Sequence, residues 1–322
     1  MRGAAEKMAL LIIPYFGTFG PWFPLFLRSL ARQTSIELLL ITDSEEVYAS
    51  DRVSVRKMTF DFFKAYVQDK LKCKINLSKP HFICNLKPAY GYLFEDEIKD
   101  YNYWIYGDED LFFGDVDKLV RPLLEKQLDV ITASRVMTAG HFTAVKNTEE
   151  LNRLVLTDPA YRTILMEETF WSYDENSWGT GRPNQNSFTK TVRAAEHEGG
   201  ITVHWGLPVR GNTPWPGKIV RYDGSSIRTE DETELVYFHW GTAKRNFRTL
   251  PRLYSLPDDD QLVYGFNIDS FGIHKTGEGK AGEKARHLLR LLHATQLGQN
   301  TGRMIRGVAQ KAYKFKRLTR LR

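Results

Sequence analysis

The sequence predicts an α/β protein built on an open, mostly parallel β-sheet with flanking helices. Three observations predict this fold class: continuous apolar runs that stop at turn residues, helical spacing between those runs, and an ordinary composition. Hydrophobic residues make up 42% of the 322 residues and charged residues 26%, which is typical of a globular chain with a sizeable core. Apolar strands that alternate with helices are characteristic of parallel sheets covered on both faces.

The first half of the chain alternates the two kinds of element. Buried strands are predicted at Met8–Tyr15, Ile36–Thr42, Val53–Met58, Tyr103–Tyr106 and Leu128–Ala133. Helices are predicted at Trp22–Arg32, Phe60–Lys72 and Val116–Lys126. The alternation runs over about the first 135 residues and indicates a sheet that grows by successive strand–helix units.

The second half has a different character. A helix is predicted at Leu151–Phe170, followed by many Gly, Pro, Trp and Asn residues with short strands at Ile201–Trp205, Lys218–Tyr222 and Leu235–Trp240. We expect this part to be a ligand-binding region made of loops over the sheet edge.

Cysteine content and apolar runs bear on the cell compartment. The two cysteines, Cys73 and Cys84, favour reduced thiols in a cytosolic protein over a disulfide framework. The apolar run Met8–Phe16 is interrupted by Pro14 and is shorter than the roughly 20 residues of a membrane-spanning helix. We therefore expect a cytoplasmic protein without a signal peptide.

The net charge of +6 comes from the C-terminal segment. From Lys280 to Arg322 there are twelve Lys or Arg residues and one acid, whereas the rest has 33 basic and 38 acidic residues. Interleaved Leu, Ile, Tyr and Phe make residues 277–322 resemble a basic amphipathic helical extension on the inner face of an anionic membrane. A solvated, partly disordered tail and a nucleic-acid contact are the alternatives, and no nucleic-acid partner is expected.

The most informative motif is Asp108-Glu109-Asp110. It follows the predicted strand Tyr103–Tyr106 through Gly107, and the apolar run Leu111–Phe113 comes after it. Carboxylates at i and i+2 repel each other, and a hard divalent cation such as Mg²⁺ or Mn²⁺ relieves that repulsion. The C-terminal ends of strands in an open α/β sheet are also where ligands bind. An acidic surface turn is the alternative interpretation.

Three segments resemble a known family. The stretch YNYWIYGDEDLFFGDVDKL, residues 101–119, resembles the D-x-D region of GT-A glycosyltransferases. It is most similar to a bacterial surface-polysaccharide family formerly known only as a domain of unknown function. NLKPAYGYLF, residues 85–94, and FHWGTAKRNF, residues 238–247, resemble two further segments of that family. The resemblance covers roughly residues 10–247.

The resemblance implies a GT-A-like catalytic domain over residues 1–276. A nucleotide-binding half would span about residues 8–135, and an acceptor-binding half about residues 136–276. It implies that Asp108, Asp110 and His239 bind Mn²⁺ or Mg²⁺, that Asp108 also serves the nucleotide, and that Lys244 or Arg245 faces the diphosphate.

Further candidates follow from position and surroundings. Asp174 and Glu175 lie among aromatic residues, which tends to raise a carboxyl pKa toward the range of a general base. Pro14 and Tyr15 close the first strand near a nucleotide base and ribose, and Asp43 closes the second as an acceptor for either. Lys87 is a candidate for neutralising a phosphate or a carboxylate.

These observations favour a metal-dependent glycosyltransferase. Its expected donor is a nucleotide sugar, in the first place a UDP-sugar, and its acceptor a saccharide or lipid-linked saccharide of bacterial surface polysaccharide or lipopolysaccharide synthesis. A sugar nucleotidyltransferase is the main alternative, but the loop FGTFGPWFP has no basic residue before Arg28. A phosphatase with an Asp nucleophile and a non-catalytic sugar- or membrane-binding module are further alternatives.

Overall fold

The computed structural model describes residues 7–47, 49–176, 186–212, 218–249, 256–269 and 272–275. The strands are β1 Lys7–Pro14, β2 Ile36–Thr42, β3 Val53–Lys57, β4 Tyr101–Gly107, β5 Leu111–Phe113, β6 Val130–Thr132, β7 Phe142–Lys146, β8 Val203–Trp205, β9 Val209–Gly211, β10 Ile219–Tyr222, β11 Ile227–Thr229, β12 Glu234–Leu235, β13 Tyr237–His239, β14 Phe266–Asp269 and β15 Gly272–Lys275. The α-helices are α1 Phe23–Leu30, α2 Phe60–Leu71, α3 Tyr90–Leu93, α4 Glu95–Ile98, α5 Val116–Leu119, α6 Arg121–Glu125, α7 Glu149–Asn152, α8 Tyr161–Met166, α9 Phe188–His197, α10 Lys244–Thr249 and α11 Asp259–Tyr264. Short 3-10 helices span Pro80–Ala89, Leu154–Thr157 and Gly241–Ala243. The basic extension predicted at 277–322 lies outside the described residues.

A seven-stranded sheet forms the centre of the molecule, with the order β3-β2-β1-β4-β7-β6-β8. The pairs β1–β2, β1–β4, β2–β3 and β6–β8 are parallel. Only β7, which the sequence pattern did not predict, runs antiparallel to its neighbours β4 and β6. The predicted open, mostly parallel α/β sheet is therefore confirmed.

The central strands are apolar on both sides because helices cover both faces of the sheet. In β1, Leu10 and Ile12 belong to one core cluster, whereas Leu11 and Ile13 belong to the other. Helix α2 packs on the first face and helix α1 on the second, each through its buried apolar side chains. Side chains alternate between the faces of a strand, so a strand buried on both sides appears as a continuous apolar run.

Two predicted helices are wrong in their continuity. Val116–Lys126 divides into α5 and α6 at Val120, with Pro122 in the first turn of the second helix. Leu151–Phe170 divides into α7, a 3-10 turn and α8, because Asp158 precedes Pro159 and adopts an extended conformation with ψ of 111°. The ring of a proline disfavours the helical conformation of the residue before it.

The short strands predicted in the second half are present, with β8 within Ile201–Trp205 and β10 within Lys218–Tyr222, but the sequence did not predict that strands of this part contribute to two further sheets. One has five strands in the order β12-β11-β10-β14-β15, and the other has three in the order β5-β13-β9. The strand predicted at Leu235–Trp240 divides between them, since β12 belongs to the first and β13 to the second. The three-stranded sheet matters for the site because β5 begins directly after Asp110.

Within the described ranges, no helix combines the length and the apolar character that crossing a membrane requires.

Candidate active site

Two carboxylates follow the C-terminal end of β4 in the middle of the central sheet. The backbone N–H of Asp108 donates to the carbonyl oxygen of His141 at 3.3 Å. Gly107 fits before it because a Cβ at this position would lie 3.0 Å from the same carbonyl oxygen. Asp110 follows two residues later and is fully buried. The predicted location at a strand end is confirmed.

The pairing of β5 with β13 brings His239 to these carboxylates. The two strands are antiparallel and place His239 opposite Leu111, the residue after Asp110. The backbone N–H of Trp240 donates to the carbonyl oxygen of Asp110 at 3.0 Å and continues the pairing. His239 Nε2 lies 3.2 Å from Asp110 Oδ1 and 3.8 Å from Asp108 Oδ2. Three possible ligand atoms thus lie within 4.8 Å of one another.

The polar atoms around Asp110 fit a cation between these three side chains. Oδ2 of Asp110 accepts hydrogen bonds from the Gly241 N–H at 3.0 Å and from Lys244 Nζ at 2.9 Å. Oδ1 is buried with His239 Nε2 at 3.2 Å, and among the described residues no donor has the geometry of a hydrogen bond to it. A buried carboxylate oxygen without a donor is costly, and a metal ion satisfies it. Two carboxylates and an imidazole form a donor set that suits a divalent metal ion.

The charges within the cluster shift its pKa values in opposite directions. Burial raises the pKa of the Asp110 carboxyl, but His239 and Lys244 outweigh burial and hold it below its ordinary value. Burial and the negative charge of Asp110 raise the pKa of Glu109 to about 7. Burial lowers the pKa of the His239 imidazole, but Asp110 and Asp108 raise it more, to above its ordinary value. The cluster therefore concentrates negative charge that a cation neutralises.

A cavity of about 570 Å³ opens beside the carboxylates. Its lining comes from the end of β1 and the following loop, from the segment 80–90, from the D-x-D turn and from α10. These residues are Ile13, Pro14, Tyr15, Phe16, Trp22, Pro80, His81, Ile83, Cys84, Lys87, Tyr90, Gly107, Asp108, Glu109, Lys244, Arg245 and Arg248. One wall is thus mainly apolar and aromatic, and the other is charged, a combination that suits a nucleotide.

Helix α10 supplies three of the cations in this lining, Lys244, Arg245 and Arg248. Lys244 Nζ also lies 3.7 Å from Glu109 Oε1 and so contacts two acids of the D-x-D turn. Arg248 was not predicted, although its position four residues after Lys244 on one helix is the signal that would have identified it.

Lys87 lies between the D-x-D turn and Asp174, one of the two candidate general bases. Its buried ammonium lies 2.5 Å from Asp108 Oδ1 and donates to the Gly140 carbonyl oxygen at 2.9 Å. It also lies 3.6 Å from Asp174 Oδ2. Lys87 was expected to neutralise either a phosphate or a carboxylate, and in the structure it contacts two carboxylates.

Asp174 and Glu175 lie on the far side of Lys87. Burial raises the pKa of Asp174 to about 8 even though Lys87 lowers it. Burial also raises the pKa of Glu175, which is more exposed than Asp174 and whose Oε1 accepts a hydrogen bond from the Gly140 N–H at 3.1 Å. The Lys87 side chain thus lies between Asp108, one of the metal-ligand candidates, and Asp174.

Of the remaining predicted residues, two line the cavity and one does not. Pro14 and Tyr15 line the cavity. Asp43 is exposed and is not in the cavity lining, and its Oδ1 instead accepts a hydrogen bond from the Gly17 N–H at 2.8 Å. Sequence reasoning missed His141, whose ring lies 4.5 Å from the His239 ring and whose Nδ1 is 2.7 Å from the Tyr237 hydroxyl. Burial lowers the pKa of His141 to about 3.

Fold and site together define an α/β protein with a carboxylate–histidine cluster and a partly cationic cavity at the C-terminal edge of its central sheet. The chain belongs to the family of unknown function DUF6625, whose profile matches residues 11–199. No curated protein matches the chain.

Several solved structures resemble this one at low sequence identity. Mouse xyloside xylosyltransferase 1 in its apo form has 13% identity and a TM-score of 0.42, over 75% of this chain and 99% of that one. The galactosyltransferase LgtC, in complex with donor and acceptor sugar analogues, has 9% identity and a TM-score of 0.40, over 79% and 99%. The glycosyltransferase GlyE of Streptococcus pneumoniae has 12% identity and a TM-score of 0.32, over 62% and 54%.

Proposed function

We propose that this protein is a metal-dependent glycosyltransferase that moves a sugar from a nucleoside diphosphate sugar to a saccharide acceptor. One observation carries the proposal: the ligand atoms of Asp108, Asp110 and His239 converge within 4.8 Å beside a cavity with a cationic wall. In this reading Asp108, Asp110 and His239 hold Mn²⁺ or Mg²⁺, which when bound supplies a positive charge opposite the diphosphate.

The cations of α10 act on the leaving group. A nucleoside diphosphate gains negative charge as the bond to the sugar breaks, and Lys244, Arg245 and Arg248 face the cavity in which we place it. Fixed positive charge aimed at developing negative charge is usually the largest contribution to catalysis. Pro14 and Tyr15 lie along the same cavity and would contact the nucleoside.

The acceptor hydroxyl must lose a proton during transfer. Glu175 is more accessible than Asp174, and burial raises its pKa, which suits proton transfer near neutral pH. Asp174 is buried beside Lys87, so its role would be to hold Lys87 and the sugar-facing side of the site in place. We assign Asp43 the weakest role, a contact with the nucleoside from outside the cavity.

The finer features of the proposal rest on the resemblance and on the charge of the sequence. They are a UDP-sugar donor, a lipid-linked acceptor in bacterial surface polysaccharide or lipopolysaccharide synthesis, and a division of the catalytic domain near residue 135. The basic segment 277–322 would hold the protein at an anionic membrane.

A thermal-shift panel tests the donor and the metal together. UDP-, GDP-, CMP- and dTDP-sugars are compared with and without Mn²⁺, because a ligand at 100 times its dissociation constant stabilises the fold by about 2.7 kcal/mol. We expect one nucleotide class to raise the melting temperature only when Mn²⁺ is present.

The same panel includes a loss-of-site variant. Asp108→Ala with Asp110→Ala should abolish the metal-dependent shift and lower sugar transfer by about 10²-fold or more. Asp100→Ala, an exposed acid just before β4, serves as the matched control and should behave like the parent protein. If no nucleotide shifts the parent protein, or if the double variant transfers sugar normally, the proposal is wrong.

A further inference from the structure

His141 lies at the centre of the candidate site, and the proposed mechanism gives it no role. Its backbone carbonyl oxygen accepts from the Asp108 N–H at 3.3 Å, and its ring lies 4.5 Å from the ring of His239. The preceding residue, Gly140, donates its N–H to Glu175 Oε1 at 3.1 Å. His141 therefore stands between the metal-ligand candidates and the candidate general base.

The two ring nitrogens of His141 have different surroundings. Nδ1 lies 2.7 Å from the hydroxyl of Tyr237, a fully buried side chain on β13. Among the described residues, the Tyr237 hydroxyl has no hydrogen-bond partner other than this nitrogen. A buried hydroxyl that donates to nothing is costly, so the phenol donates its hydrogen and Nδ1 accepts it.

This arrangement puts a hydrogen on the other ring nitrogen, Nε2. A neutral imidazole whose Nδ1 accepts carries its hydrogen on Nε2, and a protonated ring carries one there as well. Nε2 of His141 can then donate a hydrogen bond but cannot bind a metal ion, which requires a nitrogen without hydrogen. Within the part of the chain that the structure describes, Nε2 has no hydrogen-bond partner, and the side chain is partly exposed. A donor is therefore available to a ligand at this place.

The position of His141 indicates which ligand receives the hydrogen bond. The described residues that line the cavity of about 570 Å³, in which we place the nucleoside diphosphate, do not include His141. If the proposed function holds, the transferred sugar is joined to the diphosphate at the metal and faces the acceptor hydroxyl at Glu175, so it occupies the space that His141 borders. We propose that His141, held by Tyr237, donates a hydrogen bond from Nε2 to an oxygen of the transferred sugar.

Two substitutions of His141 separate ligand binding from packing. The amide of glutamine reaches the position of Nε2, whereas the shorter asparagine brings its amide to the position of Nδ1. His141→Gln therefore keeps a donor for the sugar but leaves the buried Tyr237 hydroxyl without its acceptor, and His141→Asn does the reverse. We expect His141→Gln to have the lower melting temperature of the two variants and the higher affinity for a nucleotide sugar.

Calorimetric titration in the presence of Mn²⁺ measures the affinities. UDP-glucose, UDP-galactose, GDP-mannose and dTDP-rhamnose are compared with UDP, GDP and dTDP, which lack the transferred sugar. For the nucleotide sugar that binds the parent protein most tightly, His141→Asn should weaken binding about fivefold, as for the loss of one neutral hydrogen bond. His141→Gln should stay within about twofold of the parent, and neither variant should change the affinity for the free diphosphate. His204→Asn, on β8, is the control and should bind like the parent.

Nitrogen-15 NMR of the histidine rings tests the hydrogen on Nε2 without a ligand. The His141 signals, identified by their loss in His141→Asn, should show a hydrogen on Nε2 in the parent protein. In Tyr237→Phe, which lacks the hydroxyl, the form with hydrogen on Nδ1 should appear beside it. If His141→Gln does not fold, the double variant His141→Gln, Tyr237→Phe carries the binding test, because it removes the stranded hydroxyl.

The outcomes distinguish this inference from the proposed function. Equal affinity of both His141 variants for the nucleotide sugar, or an equal loss for the free diphosphate, would overturn the role of His141 and leave the glycosyltransferase proposal intact. A hydrogen on Nδ1 alone in the parent protein would do the same. Failure of every nucleotide and nucleotide sugar to bind the parent protein would overturn the proposed function and the inference with it.

Discussion

Lys87 shows how one side chain joins two parts of the site. Only 7% of its side chain is exposed, and its ammonium contacts Asp108, Asp174 and a backbone carbonyl. Burial lowers the pKa of Lys87, but the negative charge of Asp108 and its neighbours raises it well above the ordinary value. The lysine therefore stays charged and offsets the repulsion between the two acids.

Replacing Lys87 should be costly to stability. We expect Lys87→Met to lower the free energy of unfolding by about 3 kcal/mol, because breaking a buried ion pair leaves unpaired charge behind. Urea unfolding at pH 7 measures the change. The double variant Lys87→Met, Asp108→Asn should recover part of the loss, since it also removes the carboxylate that lies 2.5 Å from the Lys87 ammonium. A single variant as stable as the parent would contradict the role of this contact.

Some residues of the candidate site could be predicted from the sequence, and others could not. Asp108 and Asp110 were predictable because an apolar strand runs directly into them, and His239 was carried over from the resemblance. His141 and Glu109 were not assigned roles, since nothing in their local sequence shows which neighbours the fold brings to them. Asp43 had the expected position at a strand end, yet its carboxylate turns to the Gly17 N–H.

Asp117 in α5 ties that helix to the start of β2. One carboxylate oxygen accepts from the N–H and hydroxyl of Thr34 at 2.7 and 2.8 Å, and the other accepts from the N–H and hydroxyl of Ser35 at 2.8 and 2.5 Å. Burial raises the pKa of Asp117, but these hydrogen bonds outweigh it and lower the pKa below its ordinary value.

This lowered pKa predicts a pH dependence of stability. Because the folded-state pKa is below the unfolded value of about 3.9, the stabilisation is complete above that value and is lost as the pH falls through the folded-state pKa. Asp117→Asn should lower the free energy of unfolding at pH 7 by about 1–3 kcal/mol. Urea unfolding at pH 7 and pH 3 should show a smaller difference from the parent at pH 3. A difference that does not shrink would contradict the assignment.

The strands that could be predicted from the sequence are those buried in the hydrophobic core. The long apolar runs of β1, β2 and β4 are buried on both faces, and their pattern is visible without the structure. The strands of the two smaller sheets have two to four residues, and several pair with distant segments, as β5 does with β13 and β10 with β14. Such short strands carry too few residues for a period to be recognised, so β10 could be predicted as a strand but its partners in the sheet could not.

At the scale of the whole molecule, charge is divided along the chain. The twelve basic residues from Lys280 onward contrast with an acidic excess in the remainder. Basic residues near an anionic membrane surface each contribute about 1 kcal/mol of attraction. If the acceptor is attached to a lipid, this division would bring the active site to the surface on which its substrate lies.

Sedimentation with liposomes tests the membrane proposal. We expect the full chain to sediment with vesicles that contain anionic lipid and a variant truncated before Gly277 to remain in the supernatant. Neutral vesicles and added salt should release the full chain, because the attraction is electrostatic and is screened by salt. Equal recovery of the two forms on anionic vesicles would rule out a membrane role for the segment.

The register between β5 and β13 has a consequence for how this site can be lost. His239 reaches the carboxylates only because it pairs opposite Leu111. Neighbouring residues of a strand point to opposite sides, so a slip of one position would turn the imidazole away and present Phe238 or Trp240 in its place. Inserting or deleting a single residue in β5 or β13 would therefore remove the His239 imidazole from the carboxylates. The seven-stranded sheet would keep its pairing, so the loss of the site would not be visible as a loss of fold.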